Sequence, residues 1–131
     1  GMNVESEGIG NIENASQHVD LKSYKELCNK LGERMQVIVS KFIDNAASLI
    51  ADIETAADND DMETLAIRSH TLKGSSLSVS ATGLSDIARQ IEEHARSATE
   101  FDYKKCASEL KDEFQLVKEI FADSEMTKKI A

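Results

Sequence analysis

Apolar residues recur every three or four positions through most of the chain, which is the spacing that forms one face of an α-helix. The longest such pattern runs from about Glu33 to Ala57. It predicts a helix roughly 35 Å long, at about 1.5 Å per residue. We expect its buried stripe to consist of Met35, Ile38, Val39, Phe42, Ile43, Ala46, Leu49, Ile50 and Ile53.

Four more helical segments are predicted, at about residues 20–31, 61–79, 83–97 and from about Glu100 onward. Aspartate favours helix starts and glycine favours helix ends, so Asp20 and Gly32 are expected to bound the first of them. In the helix at about 61–79, the expected buried face is Met62, Leu65, Ala66, Ser69, Leu72 and Ser76. In the helix at about 83–97, it is Leu84, Ile87, Ala88, Ile91 and Ala95. In the last helix, it is Phe101, Cys106, Leu110, Phe114, Val117, Ile120 and Phe121.

Long amphipathic helices with short connections predict an all-α fold, an antiparallel four-helix bundle with a short additional N-terminal helix covering one end. We assign residues 1–18 to a polar leader, mobile or weakly helical, residues 19–123 to the bundle, and residues 124–131 to a frayed tail. Because one core suffices for a chain of 131 residues, we expect a monomer. Gly1 before Met2 is typical of an expression tag, so Met2 is expected to begin a free-standing protein.

Composition and charge limit the classes of partner that we expect this protein to bind. A formal charge of −9 disfavours nucleic acid, whose phosphates attract basic surfaces. No apolar run approaches the roughly 20 residues that a membrane-spanning helix needs, and the N-terminus lacks the basic-then-apolar order of a signal peptide. Cys28 and Cys106 are far apart and form no metal-binding spacing, which suits two reduced thiols. We therefore expect a cytoplasmic protein without membrane or nucleic-acid partners.

The segment HTLKGSS, residues 70–76, places distinctive chemistry inside a predicted helix. Residues at i, i+3 and i+4 share a helix face, so His70, Lys73 and Gly74 are expected on one patch. Glycine inside a helix costs about 1 kcal/mol relative to alanine, which indicates that a partner approaches the backbone beside His70. His70 falls beside the apolar stripe and should reach solvent. An exposed imidazole, a cation and cleared space together suit phosphoryl transfer to histidine.

Other side chains extend this patch. Ile67 and Leu77 flank His70 on the outward side of the same helix and are expected to form an apolar docking surface for a partner. On the next helix, Arg89 or Arg96 is expected to add positive charge if that helix packs on the His70 side. Other groups are expected to lie outside the site. The acidic runs at 58–61 and 92–93 are interpreted as capping and solvation, His94 as a satisfied structural histidine, and His18 as uninvolved.

HTLKGSS resembles the signature of histidine-containing phosphotransfer (HPt) domains, and the resemblance extends over about residues 19–123. It implies that His70 accepts the phosphoryl group, that Lys73 is the lysine beside it, and that Gly74 leaves room for a receiver domain. The small residues Ser75 and Ser76 also match. One departure is Ser80 before Ala81, where the family often has Gly-Ala.

The resemblance further implies a phosphorelay carrier that takes a phosphoryl group from an aspartyl phosphate on one receiver domain and passes it to another. Its partners would be receiver domains, a hybrid histidine kinase, or both. It would have no kinase activity of its own and no cofactor, and Mg²⁺ is expected only on the partner receiver.

Other interpretations of these residues stay open. His70 is alternatively an ordinary surface histidine, Lys73 a solvated charge, and Gly74 a site of close helix–helix packing. The protein is alternatively an adaptor bundle that binds a receiver or kinase without taking phosphate. A third hypothesis is an enzyme, either a metal-dependent bundle or the phosphorylated domain of a larger kinase. The chain shows no glycine-rich nucleotide loop, and its three histidines show no metal-ligand spacing.

Overall fold

A computed structural model describes residues 14–123 of the chain, and the regular secondary structure of this range is entirely α-helical. The predicted all-α class is therefore confirmed. The predictions for residues 1–13 and 124–131 lie outside the described residues. The helices are α1 (Ala15–His18), α2 (Leu21–Leu31), α3 (Arg34–Asp58), α4 (Met62–Ser78), α5 (Thr82–Ser97) and α6 (Tyr103–Phe121).

Three helices begin at an aspartate that caps them. The carboxylates of Asp20, Asp61 and Asp102 each accept a hydrogen bond from the backbone N–H three residues later, at 3.2, 3.1 and 3.0 Å. This satisfies an N–H that has no partner within the helix. Gly32 ends α2 with a φ of 59°, a left-handed value that favours glycine. The predicted bounds of α2 are thus confirmed, whereas α6 starts at its Asp102 cap, later than the predicted Glu100.

The four long helices enclose one core. α3 packs against α4 and α6, and α5 packs against the same two helices, so each has two long neighbours. No helix within residues 14–123 combines the length and apolar character needed to cross a bilayer. The largest side chains of the core that solvent does not reach are Ile53, Leu65, Leu72, Leu84, Ile91, Leu110 and Ile120.

Most of the predicted buried stripe of α3 is confirmed, with one error. Met35, Val39, Phe42 and Ile53 are buried, but Ile38 is 37% exposed. At roughly 100° per residue, Ile38 lies about 80° from the centre of the stripe. An apolar residue at that angle fits the periodicity yet lies too far round the helix to reach the core.

The N-terminal helices attach to the bundle through particular contacts. In α2, Tyr24 stacks on Phe121 of α6 with ring centroids 4.9 Å apart. α1 lies against α5 and α6, and the Nδ1 atom of His18 is 2.8 and 2.9 Å from the two carboxylate oxygens of Glu113. The predicted domain boundary after residue 18 stays a prediction. The part of the predicted leader that the structure describes contains α1, which packs on the bundle.

Gly83 lies next to the contact between α1 and α6, and its substitution gives the first testable prediction. A Cβ atom at Gly83 would meet the Glu113 carboxylate and would lie 2.9 Å from the Gln17 carbonyl oxygen. Since backbone cannot move away cheaply, Gly83→Ala should lower the free energy of unfolding by about 1–3 kcal/mol. Urea denaturation followed by circular dichroism measures this.

Gly74→Ala is the matched control for that experiment. Nothing lies within 4 Å of a Cβ built at Gly74, and alanine is favoured over glycine in a helix by about 1 kcal/mol. The control should therefore be as stable as the native protein or more so. Equal unfolding midpoints for the Gly83 variant and the native protein would contradict the account of Gly83.

Candidate functional site

Close packing of α4 on α5 builds the site. The buried residues on these two helices include Ser69, Ser76, Ser85 and Ala88, whose small side chains let the helix axes approach. The Ser85 hydroxyl donates a hydrogen bond to the Lys73 carbonyl at 3.1 Å, which joins the two helices directly. Side chains from α5 therefore reach the face of α4 that carries HTLKGSS.

His70 is displayed on this face and held at one nitrogen. Its side chain is 60% exposed, and its Nδ1 atom is 2.8 Å from the Oε2 atom of Glu92 on α5. A carboxylate only accepts hydrogen bonds, so Nδ1 carries a proton, and in the neutral ring Nε2 then keeps its lone pair. The nitrogen that Glu92 leaves unbound is therefore the one suited to act as a nucleophile.

Glu92 also binds two cations. Its Oε1 atom is 2.7 Å from Nζ of Lys73, and its Oε2 atom is 2.8 Å from Nε of Arg96. Burial raises the pKa of the Glu92 carboxyl, but its contacts with Lys73, Arg96 and His70 outweigh burial and lower that pKa to about 2. Glu92 is thus ionised at neutral pH and presents a fixed negative charge to Nδ1 of His70.

The local charge differs from that of the whole chain. Lys73 and Arg96 bring two positive charges and Glu92 brings one negative charge, so the group is positive by one when His70 is neutral. The chain as a whole carries −9. A small positive region next to an exposed imidazole favours an incoming phosphoryl group or an acidic partner surface.

Gly74 leaves the backbone open beside His70. The Cβ position has no heavy atom within 4 Å, and the residue is exposed. Close packing against another helix, one of the alternatives above, therefore has no contact to support it among the described residues. The glycine therefore leaves an open, solvent-facing patch of backbone beside His70.

The predicted flanking residues fall into two groups. Ile67 and Leu77 are 51% and 56% exposed on α4, as the docking-surface prediction requires, and Arg96 joins the Glu92 network. Arg89 does not join it. Its guanidinium is bound instead by Asp86 and Glu93 of its own helix, at 2.8 and 3.0 Å.

Sequence reasoning missed the central residue of the network. The run containing Glu92 was assigned to capping and solvation, and for Glu92 that assignment is wrong because its side chain is only 7% exposed. A signal was present in the spacing. Glu92 lies four residues after Ala88 and three before Ala95, both of which are buried, so it occupies the apolar face of α5.

His94 keeps a structural role. Its ring stacks on Phe101 with centroids 3.9 Å apart, and its Nδ1 atom is 2.8 Å from the Thr99 hydroxyl. The part of the chain that the structure describes contains no group of three or more His, Cys, Asp or Glu side chains that could hold a metal ion.

The sequence model of the Hpt domain family matches residues 37–120. This match spans more than half of the chain and includes His70, Lys73, Gly74, Glu92 and Arg96. The chain belongs to the Hpt domain family. Comparison with curated proteins and with solved structures gave no match.

Membership of the Hpt family confirms the resemblance drawn from HTLKGSS. Hpt domains have a phosphotransfer role in two-component signalling, where they are phosphocarrier modules that interact with receiver domains and histidine kinases. In this Hpt domain the exposed imidazole, its carboxylate partner and two cations lie within the matched region.

Proposed function

We propose that this Hpt domain relays a phosphoryl group between aspartyl-phosphate receiver domains through Nε2 of His70. The observation that supports this most strongly is the 2.8 Å contact from Nδ1 of an exposed His70 to the buried, ionised carboxylate of Glu92. The contact fixes the ring and its tautomer, and it leaves one nitrogen lone pair open to an approaching partner.

The transfer balances with the residues present. The Nε2 lone pair attacks the phosphorus of an aspartyl phosphate, the P–N bond forms, the P–O bond breaks, and the aspartate leaves as a carboxylate. The proton on Nδ1 stays between His70 and Glu92 throughout. In the onward step, that proton lets His70 leave phosphorus as a neutral imidazole, which is a far better leaving group than an imidazolate anion.

The two cations supply charge stabilisation in this proposal. Phosphoryl transfer through a loose, in-line transition state depends chiefly on positioning and on neutralising the equatorial oxygens. Lys73 and Arg96 both contact the carboxylate that holds His70, and both are partly exposed. The partner receiver would bring the phosphodonor and Mg²⁺, so no resident cofactor is required.

The same proposal extends to the docking surface, the location and the oligomeric state of the protein. Ile67 and Leu77, exposed on either side of His70, would contact the receiver domain or hybrid kinase. Arg89 would take part only by leaving its intrahelical partners. We further propose a cytoplasmic monomer without kinase activity, whose four long helices are arranged as an antiparallel bundle.

The test is transfer from a phosphorylated receiver domain carrying a radioactive phosphoryl group. The native protein should acquire acid-labile label, and His70→Gln should acquire none, because glutamine offers no nucleophilic ring nitrogen. Circular dichroism should show equal helical content, since His70 is exposed. His94→Gln is the matched control and should be labelled like the native protein. Label on the His70 variant would reject the site.

An adaptor that binds a receiver without taking phosphate gives a different result in the same assay. The native protein would form the complex but acquire no label, and His70→Gln would bind equally well.

A further inference from the structure

A cavity of about 580 Å³ lies between α2 and α3, near the end of α6. It shares no lining residue with the His70–Glu92 network. Its volume is within the range of small-molecule sites, which are mostly apolar with a few polar groups that orient the ligand. Its apolar lining is Tyr24, Met35, Val39, Ile43 and Phe121, and its polar lining includes Asn29, Glu33, Gln36 and Ser40, with the Cys28 thiol beside them.

The walls of this cavity are held by contacts of their own. Tyr24 stacks on Phe121, and Phe121 also meets Phe42 edge to face with centroids 6.3 Å apart. At the end of α2, the Gly32 N–H donates to the Cys28 carbonyl at 2.8 Å, and the Gly32 carbonyl accepts from the Met35 N–H at 3.0 Å. The cavity is therefore formed before any ligand arrives.

The described polar lining carries one negative charge, and its polar side chains are exposed and free of protein partners. Glu33 is the charged residue among the lining side chains that the structure describes. Within residues 14–123, the side chains of Glu33, Asn29, Gln36 and Ser40 have no hydrogen bond or ion pair. Glu33 is exposed, so a ligand with a positively charged donor group would reach its carboxylate without breaking a contact within residues 14–123.

We propose that this cavity binds a hydrophobic organic cation, an amine whose apolar body lies on Met35, Val39 and Phe121 and whose ammonium group contacts Glu33. The amide and hydroxyl groups of the lining provide further acceptors for the ammonium protons. This binding is separate from phosphotransfer and does not depend on His70.

The test uses three probes with the same apolar body and different charge: 4-(1-naphthyl)butylamine, the corresponding alcohol and the corresponding carboxylic acid. Each is titrated into the ¹⁵N-labelled protein of 131 residues at neutral pH. The amine should give saturable shifts at the lining residues and bind about fivefold more tightly than the carboxylate, with the alcohol between them, as expected for an exposed charge contact. Glu33→Gln should remove this order and leave the affinity for the alcohol unchanged.

Three outcomes would overturn the proposal. They are no saturable shift with any probe, shifts confined to residues outside the lining, and equal affinity for the amine and the carboxylate.

A cavity-filling variant locates the binding. Val39→Trp places a large ring in the cavity and should abolish amine binding. Val37→Trp is the matched control, because Val37 is 55% exposed on the same helix and does not line the cavity. Amine binding retained by a folded Val39→Trp protein would contradict the assigned site.

A chemical readout keeps the test decisive if Val39→Trp does not fold. The amine should slow alkylation of Cys28 by iodoacetamide in the native protein, while any alkylation of the buried Cys106 reports opening of the domain. Burial raises the pKa of both thiols, so the reaction is run at mildly alkaline pH. An alkylation rate of Cys28 that the amine leaves unchanged would overturn the proposal.

Discussion

Glu92→Ala should slow phosphoryl transfer to His70 by about 10- to 100-fold, by analogy with the loss that follows removal of a group orienting a metal-bound histidine. The substitution removes the acceptor of the Nδ1 proton, so the ring can rotate and the proton can move to Nε2, which then has no lone pair for the phosphorus. Glu92→Gln should cost less, because an amide oxygen still accepts a hydrogen bond. The measurement is single-turnover transfer from a phosphorylated receiver.

Nitrogen NMR of the imidazole separates this positioning role from a general loss of structure. The native ring should be protonated at Nδ1, and the Nε2-protonated tautomer should increase in Glu92→Ala. Glu93→Gln is the matched control, since Glu93 is exposed, pairs with Arg89 and lies outside the network. Native transfer rates and an unchanged tautomer in Glu92→Ala would contradict the role of Glu92.

The low pKa of Glu92 adds a pH dependence to stability. Its folded pKa of about 2 is below the ordinary value of 4.5, so its contribution is complete above the unfolded pKa and is lost as pH falls toward 2. The stability difference between the native protein and Glu92→Ala should therefore shrink as the pH falls below about 4.5. Urea denaturation at a series of pH values measures this.

Most of what the sequence predicts correctly depends on residues that are close together along the chain. Helix positions follow from the spacing of apolar residues, and the start of α2 follows from Asp20, because both depend on residues within a few turns of each other. The His70, Lys73 and Gly74 patch is local in the same way. Exposure of Ile38 was missed because periodicity gives the direction of a side chain but not the width of the surface that a neighbouring helix covers.

Contacts between helices were harder to predict. Glu92 and His70 are 22 residues apart, and their meeting depends on how closely α4 packs on α5. Arg89 and Arg96 were equivalent in sequence, both on the polar flank of one helix. The structure separates them because Arg96 is one turn after Glu92, whereas Arg89 has Asp86 and Glu93 within its reach.

Gly74→Gln should abolish transfer from a receiver domain while making the isolated protein no less stable. The Cβ position is open to solvent, so a longer side chain meets nothing in the domain itself. Replacing glycine within a helix stabilises it by up to about 1 kcal/mol. The same side chain would occupy the space beside His70 that a protein partner needs. Ser48→Gln, at an exposed position of α3 away from the docking surface, is the matched control and should transfer normally.

A small phosphodonor distinguishes lost docking from lost chemistry. Phosphoramidate needs no docking surface, so it should label His70 equally in the native protein and in Gly74→Gln. The phosphorylated receiver should label the native protein but not Gly74→Gln. Glu92→Ala should react slowly with both donors, because its defect is in the imidazole itself. Normal transfer from the receiver to Gly74→Gln would show that the open backbone is not where the partner approaches, and the reason for a glycine in α4 would then have to be sought elsewhere.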